Sequence, residues 1–69
     1  MEIVFTKHAR EQMEERGISE DDVINAIKFP KKTRKTKHAY YVQSQTISGK
    51  IEVVYVKENY IKVITLYPL

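Results

Sequence analysis

His8, Gln12 and Arg16 stand four residues apart in the stretch TKHAREQMEERGIS, residues 6–19. On a helix each residue advances by about 100°, so setting His8 at 0° puts Gln12 near ~40° and Arg16 near ~80°. Ala9 and Met13 then fall at about 100° and about 140°, with Arg10 and Glu14 on the far side. Ala9 and Met13 are the expected buried seam, and the three polar residues run along its border. Such a border meets a sheet edge or a cleft, where long polar groups are partly shielded and aimed in one direction. An imidazole gives and takes protons near neutral pH, and a guanidinium can hold phosphate oxygens bidentately. Both residues also have ordinary structural roles. His8 can bond a backbone group or a carboxylate, and Arg16 can act as a cation near a helix C-terminus, where the dipole favours it.

The elements that would position these groups are legible in outline. Thr6 is the expected N-cap of a first helix, accepting a bond from an otherwise unpaired N–H of the first turn. Lys7 to Arg16 contains no Gly, Pro or β-branched residue, and Gly17 follows as a C′ glycine that can take positive φ. Ser19 starts a second helix with Glu20, Asp21 and Asp22 in its first turn, where carboxylates are favoured, and Ser19 with Asp22 resembles a capping box. Phe29-Pro30 ends it, because the residue before proline avoids the α region. The later runs AYYVQSQTI, KIEVVYVK and YIKVITLYPL are rich in Tyr, Val, Ile and Thr, the residues of strands. Ser48-Gly49 and Glu58-Asn59 separate them with connections short enough for antiparallel hairpins. The first run alternates like a half-exposed edge strand, and the other two are apolar enough to be covered on both faces. The expected fold is α+β. Two N-terminal helices, at about 6–29, pack on one face of an antiparallel three- or four-stranded meander at 39–69, across a basic loop at 30–38.

That loop carries most of the charge argument. The chain has a formal charge of +3, yet Lys28, Lys31, Lys32, Arg34, Lys35 and Lys37 crowd one ten-residue stretch without an acid. The other six basic residues face nine acidic ones, so the remainder carries a net −3. A local +6 on a mildly acidic body is an electrostatic footprint for a polyanion, or else a solvated lysine loop.

Sixty-nine residues without cysteine make one small domain with a modest core and exclude disulfides and thiolate metal sites. The start MEIVFTKHAR lacks a basic segment followed by a long apolar one, so no secretion signal is expected. No apolar run approaches the ~20 residues of a membrane span. The expected setting is soluble and cytoplasmic, away from membranes. His8 and His38 are the only histidines, no acids sit at HExxH-like spacing, and Gly17 and Gly49 are the only glycines. Metal catalysis, a glycine-rich phosphate loop and any cofactor are therefore not expected. Ser19 and Ser48 occupy turn positions, which leaves a Ser-His-Asp hydrolase unsupported.

Metal-free RNA cleavage fits the residue types better. One group must take the 2′-OH proton, another must give a proton to the leaving 5′-oxygen, and cations must stabilise the charge gathering on phosphorus. Tyr and Thr hydroxyls can donate to phosphate, and Tyr can stack on a base. Tyr40 and Tyr41 follow the basic loop directly, and Tyr67 lies in the last strand run.

FTKHAREQMEERGISEDDVINAIKFP resembles the opening of a widespread family of small uncharacterised bacterial and archaeal domains. Its pattern runs roughly His-Ala-x-x-Arg-Met-x-x-Arg-Gly-Ile-Ser, then acids and a second short helix ending near proline. IEVVYV and IKVITLYP resemble its later strands, so the likeness covers nearly the whole chain. The resemblance implies a RelE/barnase-like ribonuclease fold and, for many members, the role of toxin in a toxin–antitoxin pair. Residue by residue, it makes His8 the acid or base and Arg16 the phosphate clamp. Gln12 stands where the family has its first arginine, which removes a permanent cation from the stripe. Thr65 and Tyr67 match the polar or aromatic group that the last strand of such folds contributes, and their parity puts them on one face. Lys31, Lys32, Arg34, Lys35 and Lys37, with Tyr40 and Tyr41, would hold RNA. The expected function is a metal-independent endoribonuclease. The alternatives are a non-catalytic RNA- or ribosome-binding module, and a small homodimeric interaction protein binding an acidic, antitoxin-like partner.

Overall fold

The computed structural model describes every residue except Ser48. The elements run β1 (Ile3–Phe5), α1 (Lys7–Arg16), α2 (Glu20–Lys28), β2 (Lys32–Lys35), β3 (Tyr40–Thr46), β4 (Gly49–Lys57) and β5 (Ile61–Pro68). The class is α+β, and the helices carry the expected caps. Thr6 accepts from the Ala9 N–H at 3.0 Å, and Gly17 ends α1 at φ 66. Ser19 and Asp22 form a reciprocal capping box at the start of α2. Ala9 and Met13 are buried on α1, and Val23 and Ala26 on α2.

The sheet differs from the three- or four-stranded antiparallel meander that the sequence suggests. It has five strands in the order β1-β5-β4-β3-β2, and it is mixed, because β1 lies parallel to β5. Two short strands account for the difference. Ile-Val-Phe precedes the first helix and pairs through only three residues. Lys-Thr-Arg-Lys, inside the expected basic loop, pairs antiparallel with β3 from Lys32↔Gln43 to Lys35↔Tyr40. A fully exposed Lys/Arg strand has no apolar pattern to announce it; pairing with its neighbour creates it. β2 is thus the edge, and β3, expected there, is internal. Lysines on an edge strand also discourage pairing with a second sheet. The turn expected at Ser48-Gly49 falls partly on Ser48, outside the described residues.

Both helices cover one face of the sheet, α1 chiefly over β5 and α2 over β3 and β4. Val42, Val53 and Leu66 form a row across that face and are essentially inaccessible. Val63 and Leu66 are both 0% exposed although three residues apart, which strict alternation forbids. An extra residue resolves the conflict. Val54 pairs with Thr65 and its neighbour Tyr55 with Val63, so Ile64 is the unpaired residue of a β-bulge.

Thr6 ties α1 to that bulge. Its N–H donates to the Val63 carbonyl at 3.1 Å, and its hydroxyl donates to the Ile64 carbonyl at 3.0 Å. The first turn of α1, carrying His8, is therefore pinned beside Thr65.

Candidate functional site

The face of the sheet turned away from the helices carries two lateral rows of side chains. One runs Arg34–Tyr41–Val54–Thr65 across β2, β3, β4 and β5, and the next runs Lys32–Gln43–Glu52–Tyr67. In the first row the Arg34 guanidinium sits 4.2 Å from the centroid of the Tyr41 ring. Its far end meets α1, where His8 Nε2 and Thr65 Oγ1 are 3.0 Å apart. In the second row Tyr67 donates a short hydrogen bond to Glu52 Oε1, and the Gln43 amide donates to Oε2 at 3.2 Å. Glu52 is 8% exposed, the one buried charged residue among the described residues. Two donors satisfy it, as a buried carboxylate requires.

The Tyr67 phenol is held above its ordinary pKa of 10.0, first by its hydrogen bond to Glu52, then by burial and by Glu52's charge. Tyr41 adds to the rise and Arg34 opposes it. At neutral pH Tyr67 is a proton donor and cannot serve as a base.

Thr65 and Tyr67 do share a face, and each meets a different partner there. Lys32, Arg34 and Tyr41 stand on the same face. Lys35 and Tyr40 point the other way: Tyr40 stacks on Tyr55, at 5.0 Å between centroids and 6° between planes. The Lys35 ammonium lies 5.1 Å from the Tyr40 centroid. Lys31 precedes β2, and its N–H donates to the Gln43 carbonyl. Lys37 and His38 sit in the exposed β2–β3 turn.

Arg16 is exposed at the other end of α1, about 12 Å from His8 at 1.5 Å rise per residue. Those two residues therefore do not converge on one phosphate. Arg10 is committed elsewhere, over the Phe5 ring at 4.9 Å and in an ion pair with Glu20 at 3.0 Å.

A family model described as a domain of unknown function, DUF4258, matches residues 5–68. The chain belongs to that family. The match spans both rows of this DUF4258 chain, together with α1 and its Thr6 anchor. No curated protein and no solved structure matches the chain.

Glu52 and Gln43 escaped the sequence reading. A lone acid inside the apolar run IEVVYV had to have partners once folded, and that was its signal. Which partners depended on a register that only the paired strands define. Among the described residues, no group of three or more His, Cys, Asp or Glu is arranged to hold a metal ion. No helix among them is long and apolar enough to cross a membrane.

Proposed function

We propose that this chain acts on RNA through the open face of its sheet, as a metal-independent, RelE-like endoribonuclease or a diverged relative of one. The observation that carries the reading is the 3.0 Å contact of His8 with Thr65, at the end of a row that begins with Arg34 over Tyr41. His8 is the proton-transfer group and Thr65 orients its ring. Glu52, the only carboxylate in the two rows, is the candidate for the second proton-transfer role. Its neighbour Tyr67 lies two residues along β5 from Thr65, at a spacing of about 7 Å. Arg34, held over the Tyr41 ring, and Lys32 face the phosphates, as guanidinium and ammonium groups suit. Arg16 holds backbone further along the α1 border.

A non-catalytic RNA- or ribosome-binding module is the second reading. Gln12 and the distance of Arg16 from His8 favour it, since both deplete the cation density around the proton-transfer group. One assay separates the two. Purified protein is incubated with RNA in EDTA, beside the His8→Ala and Arg16→Ala variants. The enzyme reading expects wild type to cleave, His8→Ala to lose cleavage, and Arg16→Ala to keep it with weaker binding. Cleavage by none of the three, or equally by all, removes the catalytic assignment. Salt-sensitive binding without products selects the binding module.

A further inference from the structure

At the end of the sheet, the β2–β3 turn and the last residues of β4 enclose an open cleft of about 440 Å³. Its lining includes Lys35, Thr36, Lys37, His38, Lys57 and Glu58. We propose that this cleft is a second phosphate site, which holds a backbone phosphate of the RNA strand beyond the segment lying on the open face. The inference rests on the RNA reading above and assigns the cleft a role separate from the His8 row.

Three observations carry it. First, Lys35, Lys37 and Lys57 line one cleft, and among the described residues none of them is in an ion pair. Among the described residues the one ion pair is Arg10–Glu20. Glu58 is the sole acid of the lining, so three lysines against one carboxylate leave the cleft net positive. Second, the turn from Thr36 to Ala39, which supplies four of the lining residues, is held by hydrogen bonds. The Thr36 N–H donates to the Ala39 carbonyl at 2.8 Å. The Thr36 hydroxyl accepts from the N–H groups of His38 and Ala39 at 3.3 Å and 3.1 Å and donates to the Ala39 carbonyl at 3.2 Å. A turn locked in this way loses little entropy when an anion binds. Third, the cleft continues the proposed RNA path. Arg34 faces the open side and Lys35, the next residue, lines the cleft, so a strand leaving Tyr41 reaches it by rounding the β2 edge. Ammonium groups suit this role, being compact point charges that bind phosphate without a fixed geometry.

The test is a Lys37→Gln/Lys57→Gln double variant, with single-stranded RNA binding measured by fluorescence anisotropy across a salt series. Each lost phosphate contact on a single strand lowers the salt slope by about 0.7, so removal of both lowers it by about 1.4, with several-fold weaker binding at moderate salt. An unchanged salt slope overturns the cleft assignment and leaves the open-face reading standing. If the wild type binds no RNA, the RNA reading fails, and the cleft is then judged by inorganic phosphate alone. Titrated phosphate shifting the amide resonances of residues 36–39 in wild type, and not in the double variant, keeps it as an oxyanion site. Shifts spread evenly over the surface, or no shifts, overturn it.

Discussion

The two faces of one sheet are built to different rules. Under the helices, Val42, Val53, Val63 and Leu66 pack with Ala9, Met13, Val23 and Ala26 into an apolar core. On the other side, Glu52 and Val54 are also buried, yet what covers them is Tyr, Gln and Arg side chains and no further element. The first face obeys volume and apolarity. The second spends buried area on a carboxylate with two donors, beside an exposed guanidinium held over a ring. Residues that keep a polar arrangement where apolar ones would pack as well are the natural place to look for chemistry.

That contrast can be broken or sharpened by substitution. The largest effect belongs to the covered face. Leu66→Ala empties a fully buried site beside the bulge and should cost about 2–5 kcal/mol, a large share of what a chain of this size has. Urea or thermal unfolding reads it; a loss below about 1 kcal/mol would mean that the core collapses around the gap. On the open face, Tyr41→Ala removes the platform under Arg34. It should weaken RNA binding by about 0.5–1 kcal/mol, the size of an exposed cation–π contact, and cost less stability than Leu66→Ala. Binding that is unaffected would take the Arg34–Tyr41 pair out of the interface.

A smaller effect is expected at alkaline pH. Because the folded-state pKa of Tyr67 lies above its ordinary 10.0, its contribution to stability is complete below about pH 10 and is lost as pH rises through the folded value. Tyr67→Phe abolishes that part of the alkaline decline, and unfolding measured from pH 9 to pH 11 should show a flatter slope than wild type. A slope equal to that of wild type would detach Tyr67 from Glu52. The smallest effect is Gln12→Arg, which restores a cation at the border of α1. It should raise the salt slope of RNA binding by less than about 1, with stability unchanged.

The parts of this molecule that were legible in the sequence are those set by neighbours in the chain. Thr6, Gly17 and the Ser19–Asp22 pair cap helices through contacts within four residues, so their types and spacing suffice to read them. Ala9 and Met13 followed from helical period alone. β1 and β2 were not legible, because three residues carry too little pattern and KTRK has the composition of a loop; only pairing to β5 and β3 makes them strands. The bulge at Ile64 was hidden inside a continuous apolar run, where alternation leaves no trace. At the site, His8 and Tyr67 were readable as residue types, and Thr65 through the family resemblance. Their division between two rows was not, since it depends on register across strands and on Thr6 anchoring α1 to β5. Glu52 was missed for the same reason.

The central claim is that the open face moves a proton at His8. Single-turnover cleavage of RNA in EDTA by wild type and His8→Ala, each checked for an unchanged unfolding midpoint, tests it most directly. The account predicts a loss of about 10²–10⁴-fold in rate with stability preserved, the usual size of a general acid–base contribution. Equal rates in the two proteins, or no cleavage by wild type, would contradict it.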